Sequence, residues 1–224
     1  MQDEDVRAWD EGTLKDLKGA MRQRRNRRGR GLRIAGLVFI AVALVLGGYV
    51  WWLLWGTGIT TRAAQNDLRP GFETAVGTKD VEEAPPAETV VKVPGKAVAI
   101  IKIPKIDVNY VVVEGTDTDS LKKGPGHYSQ TAYPWEDTGA VGIAGHRTTY
   151  GAPFWSLNEL GEGDKIVLAT EYGTFEYRVT RSKIIDPSDG SVLDATKHPT
   201  LVLTTCNPRF SAAERLIVFA DRVD

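Results

Sequence analysis

Cysteine is almost absent from this chain, which has one, Cys206, among 224 residues. A single cysteine excludes an internal disulfide, and structural cysteines of exported domains normally occur in pairs. Three interpretations of the thiol remain open: a small buried hydrophobic residue, an intermolecular bridge, or a reactive nucleophile. The choice depends on the compartment in which the thiol lies.

Charged side chains are missing from residues 34–55, IAGLVFIAVALVLGGYVWWLLW. At helical rise this stretch is about 33 Å long, close to the thickness of a bilayer hydrocarbon core. It is longer than the apolar part of a secretory signal, and no small-x-small cleavage site follows directly, which favours an uncleaved transmembrane helix. The tryptophans at 51, 52 and 55 suit a membrane–water interface. A buried core helix is disfavoured because the run has no polar face.

Acidic residues are missing from residues 21–33, just before this span, where seven arginines occur. The positive-inside bias predicts a cytoplasmic tail at residues 1–33 and export of everything after the span, so we expect a single-pass cell-membrane protein. An arginine-rich arm can also bind nucleic acid. However, residues 1–33 carry a net charge of +4 and the whole chain −1, which leaves −5 for residues 34–224. That balance argues against a nucleic-acid partner.

Apolar and aromatic side chains are sparse in residues 56–95, which are rich in Gly, Pro, Thr and Glu. Such a composition buries too little surface to offset chain entropy, so it predicts a flexible extracellular linker. The remaining residues, 96–224, are enough for one domain with a core.

This last segment is mainly β by pattern. Short runs rich in β-branched residues alternate with turn sequences such as GPG, DTG and GEGD. The runs are 97–103, 109–114, 140–145, 164–170, 174–185, 200–205 and 215–223. Only residues 117–123 and 153–160 look helical. The pattern indicates a closed barrel or a sandwich and does not choose between them.

Cys206 ends one predicted strand, and Arg215 begins the next. If the two strands pair antiparallel, the thiol and the guanidinium lie at the same end of the sheet. An arginine there can lower the pKa of a thiol or hold a developing oxyanion. A cysteine nucleophile also needs a proton carrier for its leaving group, usually histidine.

Three histidines are available for that task. His146 follows a predicted strand and precedes a turn-rich segment, which suits a residue displayed at a rim. His127 lies on a predicted loop and is either a second wall of the site or an ordinary loop histidine. His198 precedes a proline on a polar turn and is expected at the surface. The three are far apart in sequence without a close ligand cluster, so no metal or other cofactor is predicted.

Two blocks, GIAGHRTTYGAPFWSLNEL (142–160) and TLVLTTCNPRFSAAERLIVFA (200–220), resemble the signature blocks of sortases, the membrane-anchored cysteine transpeptidases of Gram-positive bacteria. IKIPKI on the first strand and LKKGPGHY before the first block extend the resemblance over about residues 97–224. It implies the family's fold, a closed eight-stranded β-barrel with short helices, for a catalytic domain at residues 96–224.

The resemblance also implies roles for individual residues. Cys206 is expected to be the nucleophile, His146 the general acid/base and Arg215 the partner that stabilises the oxyanion. The positions expected to line the groove for the substrate are Ala144, Thr204, Thr205, Tyr128 and Tyr110.

The blocks are most similar to class E sortases of high-GC actinobacteria. That similarity implies cleavage of secreted proteins between Thr and Gly of a C-terminal LAXTG-like signal. Transfer then proceeds through a thioacyl-enzyme to a cell-wall precursor, the stem-peptide amine of lipid II. Two alternatives stay open: a class D- or F-type sortase that prefers LPXTG-like signals or mainly hydrolyses them, and a membrane-anchored extracellular binding module with an inert cysteine.

Overall fold

The computed structural model describes residues 11–223 and, in the first helix, the side chains of residues 15, 16, 18, 21 and 31–51. The helices are α1, Glu11–Trp51; α2, Thr57–Ala75; and α3, Thr118–Lys123, and a π-helical segment, Trp52–Gly56, separates the first two. One compact unit ends at Val50, and a second begins at Trp51. Among the described residues, one helical stretch is long and apolar enough to cross a membrane.

Eight strands in the described part of the second unit close into a barrel in the order β1-β2-β3-β4-β7-β8-β6-β5. Their bounds are β1, Ala97–Ile103; β2, Val108–Glu114; β3, Gly126–His127; β4, Ala140–Ala144; β5, Lys165–Thr170; β6, Gly173–Ile185; β7, Thr200–Asn207; and β8, Glu214–Arg222. The barrel is confirmed and the sandwich is excluded. Seven strands match the predicted runs, and the two-residue β3 is the one that the pattern missed.

The core lies inside the barrel. Side chains that alternate along the strands point inward, and they include Ile101, Leu168, Leu203 and Val218, all buried. Burial of each such side chain contributes about 1.5–3 kcal/mol to stability. This core makes the barrel a rigid support for the residues at its ends.

Residues 57–75 correct the prediction of a flexible linker over 56–95, because they form helix α2 and pack on the barrel. Phe72 is buried against Ile100 and Val111. Gln65 accepts from the Val111 N–H at 2.7 Å and donates to the Val111 carbonyl at 2.9 Å. The prediction failed because the segment is polar overall, although one face of the helix carries side chains that pack against β2 and hydrogen-bond to it.

The two helical predictions inside the barrel domain had different outcomes. Residues 118–123 form α3, and the Asp117 carboxylate caps it by accepting from the N–H groups of Asp119 and Ser120. Residues 153–160 form only a 3₁₀ turn, Leu157–Glu159. Phe154 and Leu157 of that segment are fully buried in the barrel core, which holds the chain in tight turns rather than a helix.

Candidate active site

His146 follows β4, and Cys206 lies near the end of β7, the strand beside it. β4 and β7 are parallel, with Ala144 opposite Thr204. Neighbouring parallel strands point their carboxyl ends toward the same edge of a sheet. His146 lies two positions past Ala144 and Cys206 two positions past Thr204. The barrel therefore brings the imidazole-bearing and the thiol-bearing residue to one edge.

Arg215 reaches this edge from the opposite direction. β8 runs antiparallel to β7, and Arg215 is directly opposite Cys206 in the register. Residues opposed in this way share a face, with Cβ atoms about 4.5–5.5 Å apart. The Arg215 Nη1 donates to the carbonyls of Ala212 and Glu214, each at 3.0 Å, which fixes one end of the guanidinium on the preceding turn. The antiparallel pairing on which the sequence argument depended is present.

The turn that carries His146 is tied to β7 on both sides. The Gly145 N–H donates to the Thr204 carbonyl at 3.0 Å, and the Thr205 hydroxyl donates to the Gly145 carbonyl at 2.7 Å. Glycine is required here because a Cβ at 145 would lie 2.5 Å from the Phe154 ring. The Phe154 N–H donates to the His146 carbonyl at 3.1 Å. These contacts fix the backbone of His146 relative to Cys206.

The side chain of His146 is half-buried beside an aromatic ring. Its ring centroid lies 4.9 Å from that of Tyr150, at an interplanar angle of 35°. Burial lowers the pKa of His146 below its ordinary value of 6.5. In the free protein at neutral pH the neutral imidazole is therefore favoured, and this form can accept a proton.

Arg147 is a buried residue of the site that sequence reasoning missed. It is 6% exposed, and its guanidinium donates to the Cys206 carbonyl at 3.1 Å, to Asn207 Oδ1 at 2.7 Å and to Asn158 Oδ1 at 2.9 Å. Burial, followed by the charge of Arg209, lowers the pKa of Arg147, whereas the charge of Cys206 raises it. The available signal was an arginine directly after His146, in a segment otherwise made of small and polar residues.

Cys206 lies on the outer face of β7. Leu201 and Leu203 point into the barrel core, whereas Val202 packs on the outside. Because side chains alternate, Thr204 and Cys206 share the outer face. Thr205 points the other way, and its hydroxyl is used by the turn at Gly145. Of the two threonines expected along a groove, Thr204 is the one on the face of the thiol.

Tyr128 covers the outer face next to Thr204. Its hydroxyl is 2.9 Å from Thr204 Oγ1, and a Cβ added at Gly142 would lie 2.9 Å from its ring. Ala144 is buried on the neighbouring strand, opposite Thr204. Tyr128, Ala144 and Thr204 therefore form a floor of small and hydroxyl-bearing side chains that leads toward Cys206.

Tyr110 lies beside the His146 loop rather than on that floor. Its hydroxyl donates to the Gly151 carbonyl at 3.2 Å. Burial raises the pKa of Tyr110, and the charge of Arg62 opposes that change. A cleft of about 220 Å³ runs between this tyrosine and α2. The two candidate tyrosines thus lie in different surroundings, Tyr128 beside Thr204 on the floor and Tyr110 against Gly151 in the loop after His146.

The structure places His127 in the barrel wall, not at a groove. It is 1% exposed, its Nδ1 is 3.1 Å from Glu114 Oε2 and its Nε2 is 2.9 Å from the Ala132 carbonyl. Both ring nitrogens face acceptors within the barrel, so the ring is engaged in contacts that belong to the fold. Of the two interpretations of His127, this geometry favours the structural one. His198 is exposed, as predicted.

The arrangement joins a half-exposed thiol, an imidazole and a guanidinium at one edge of a rigid barrel. A thiol supplies a nucleophile, an imidazole carries protons, and an arginine stabilises negative charge on oxygen. Together these groups are suited to acyl transfer.

Comparison with known proteins agrees with this chemistry. The profile of the sortase domain family matches residues 101–223. Sortase D of Bacillus subtilis (strain 168) is 34% identical over an alignment of 200 residues that covers 85% of this chain and 98% of that protein. Sortase SrtE1 of Streptomyces coelicolor is 31% identical over an alignment of 209 residues that covers 86% of this chain but only 57% of the relative.

Solved structures show the same likeness in three dimensions. The crystal structure of Sortase E1 from Streptomyces coelicolor, with a tripeptide in the active site, is 35% identical with a TM-score of 0.56, and the match covers 60% of this chain and 92% of that one. A Clostridium perfringens Sortase D5 transpeptidase is 28% identical with a TM-score of 0.62, covering 72% of this chain and 99% of that one.

Proposed function

The chain belongs to the sortase family of cysteine transpeptidases, and on that premise we propose that it cleaves a C-terminal sorting signal between Thr and Gly with Cys206 as nucleophile. The observation that carries the proposal is the strand register. It pairs Arg215 with Cys206, and it pairs the end of β4, just before His146, with Thr204. Family membership sets aside the binding module with an inert cysteine.

In the first half-reaction neutral His146 accepts the thiol proton of Cys206, and the resulting thiolate attacks the carbonyl carbon of the Thr–Gly bond. The new C–S bond pushes the carbonyl electrons onto oxygen, and Arg215 stabilises that oxyanion, since its guanidinium stays charged at physiological pH. Protonated His146 then gives its proton to the departing glycine amine. The C–N bond breaks, and a thioacyl-enzyme remains.

In the second half-reaction an amine attacks the thioester carbon. Neutral His146 accepts the proton of the amine, the tetrahedral intermediate collapses and the Cys206 thiolate leaves. The low pKa that burial gives His146 suits this base role. Water as the attacking group would give hydrolysis by the same route.

The signal we propose is LAXTG-like, as in the class E resemblance. Support comes from the floor that leads to Cys206, where the Tyr128 hydroxyl is hydrogen-bonded to Thr204. There Tyr128 can contact a substrate residue upstream of the scissile bond. The likeness to Sortase SrtE1 points the same way. A class D-type preference for LPXTG-like signals is the second candidate, favoured by 34% identity over nearly the whole of Sortase D.

We further propose the cellular setting in which this reaction occurs. The arginines of residues 21–33 favour a cytoplasmic N-terminus and an exported barrel. Secreted proteins that carry the sorting signal are then the substrates, and the stem-peptide amine of lipid II is the acceptor. The apolar helix found among the described residues, which is long enough to cross a membrane, supports the membrane anchoring.

The test uses the full chain in detergent with quenched LAXTG- and LPXTG-type peptides and an added amine, beside the Cys206→Ala variant. We expect a transpeptidation product from the Ala-containing peptide, identified by mass and lost in the variant. Cleavage of only the Pro-containing peptide would assign the class D-type preference. Cleavage without amine incorporation would indicate a hydrolase, and turnover that survives in Cys206→Ala would overturn the proposed nucleophile.

A further inference from the structure

A cleft of about 310 Å³ lies where the chain leaves its apolar stretch. One wall comes from the end of that stretch and the start of α2, with Trp55 and Arg62. The other wall comes from the loop after His146 and from Trp155 and Phe210. We call the five residues Trp55, Arg62, Trp155, Arg209 and Phe210 the rim surface. It adjoins the site because Phe210 follows Cys206 by four positions.

The aromatic side chains of the rim surface face outward. Phe210 is 68% exposed and Trp155 40% exposed, and their rings meet edge to face with centroids 5.9 Å apart. Phe210 also has φ of +66°, a left-handed conformation that is costly for a bulky residue. A phenylalanine held outward at such a backbone angle contributes little to the barrel core. Its exposure therefore calls for a partner outside the fold.

The arginines of the rim surface accompany these rings. The Arg209 guanidinium lies 4.4 Å from the Trp155 ring centroid, and its Nη2 donates to the Trp155 carbonyl at 3.0 Å. Arg62 lines the same cleft from α2. Tryptophan, phenylalanine and arginine together are typical of surfaces that sit at the headgroup level of a bilayer, where rings meet acyl chains and guanidinium groups meet phosphates.

The membrane span is continuous with this surface along the chain. Residues 34–55 are the apolar stretch, and Trp55, which closes it, stacks on Trp51 with centroids 6.5 Å apart. Interfacial tryptophan marks the depth at which a span leaves the hydrocarbon. Trp155 and Phe210 line the same cleft as Trp55, so they lie close to the residue that ends the apolar stretch. If Trp155 and Phe210 faced water, the bilayer would have to end before Trp55, the last residue of the apolar stretch.

We propose that the rim surface rests in the interface of the bilayer, with Trp155 and Phe210 among the upper acyl chains and Arg62 and Arg209 on lipid phosphates. This lipid contact holds the edge of the barrel that bears Cys206 against the membrane. It does not depend on which signal or acceptor the enzyme uses.

The experiment measures the depth of residue 210 in full-length protein reconstituted at low density into vesicles of phosphatidylcholine and phosphatidylglycerol. Phe210→Cys is made in a Cys206→Ala background and labelled with a polarity-sensitive fluorophore. The matched control is Val223→Cys, another exposed apolar position, 56% exposed, beyond the far end of β8. Quenchers are a nitroxide carried near the top of a lipid acyl chain and iodide in the water.

We expect the label at 210 to be quenched by the lipid nitroxide and shielded from iodide, and the label at 223 to show the reverse. Adding Arg62→Gln and Arg209→Gln should weaken the lipid quenching at 210. Iodide quenching at 210 equal to that at 223 would overturn the proposal. Shielding from both quenchers would also overturn it, because the surface would then be covered by protein, such as a second copy of this chain.

Discussion

At the scale of the single residue, burial sets the protonation of His146. The pKa is lower than 6.5 in the folded protein, so the unfolded chain, with the ordinary value, binds a proton more readily. Burial of His146 therefore does not reduce the free energy of unfolding above the unfolded pKa, and it reduces that free energy increasingly as the pH falls below this value. We expect the midpoint of its titration, followed by NMR of the imidazole carbons, below pH 6.5.

The assignment of that titration has an internal control. Replacing His146 with glutamine should remove only the low midpoint. A midpoint of His146 at or above 6.5 would contradict the effect of burial and would place the ring in water.

Arg147 is the residue that joins the two halves of the site, since it bonds the Cys206 carbonyl, Asn207 and Asn158 from its place beside His146. Lysine keeps the charge but cannot reproduce the planar fork. We therefore expect Arg147→Lys to lower the free energy of unfolding by about 2–3 kcal/mol, because buried acceptors lose charge-assisted bonds. It should also lower kcat more than it raises KM, since it shifts Cys206 rather than the groove.

The control for that substitution is Arg178→Lys, on an exposed part of β6 where the arginine pairs with Glu176. Exposed pairs contribute little, so stability and turnover should stay within experimental error. Denaturant unfolding and steady-state kinetics on the same preparations measure both effects. If Arg147→Lys behaved like the control, the bonds of Arg147 would have no bearing on the site.

At the scale of the element, α2 completes an edge of the barrel. β3 pairs with β2 only at Val113 and Glu114, and the Gln65 amide takes the place of a strand at Val111. Gln65→Leu keeps the helix but leaves a buried N–H and C=O without that partner. We expect a loss of about 2–4 kcal/mol in the free energy of unfolding.

Asn66→Leu is the matched control, because Asn66 is adjacent but exposed. It should leave unfolding by urea almost unchanged, as is usual for surface substitutions. Equal losses in the two variants would mean that the effect comes from helix composition and not from the bonds to β2. Hydrogen exchange at Val111 distinguishes these outcomes further, since only Gln65→Leu should speed it.

The elements that the sequence predicts well are those whose pattern is local. Seven strands alternate buried and exposed positions or form apolar runs between turn residues, and they were placed within about two residues, the usual uncertainty of such boundaries. β3 has two residues, too few for any period. α2 carries its signal in Leu68 and Phe72, an i, i+4 pair within a polar segment that contains Pro70. The polar composition of the segment predicted a linker in spite of that pair.

At the scale of the whole molecule, the site depends on a pairing that no local pattern encodes. Cys206 and Arg215 lie on consecutive strands, so their antiparallel pairing could be predicted from sequence order. β4 and β7 are separated by β5 and β6 and still pair in parallel. The position of His146 beside β7 was therefore implied only by the family resemblance.

The whole-molecule role of α2 can be tested by where the catalytic unit begins. A chain starting at residue 96 lacks Phe72, which packs on Ile100, and lacks Gln65. It also lacks Thr57, whose hydroxyl accepts from the Tyr150 N–H at 3.0 Å. Burial of one aromatic ring contributes about 1.5–3 kcal/mol and the bonds add about 1 kcal/mol each. We expect a lower thermal midpoint and lower kcat than in a chain starting at residue 57.

The comparison of these two chains separates a supporting helix from a tether. The Tyr150 ring lies beside His146, so loss of the Thr57 bond should loosen the histidine as well as the fold. Thr57→Val in the longer chain isolates this path: kcat should fall while the thermal midpoint changes little. If both chains unfolded and turned over alike, residues 57–95 would act only as a tether. If the shorter chain lost stability but kept kcat, α2 would support the barrel without acting on His146.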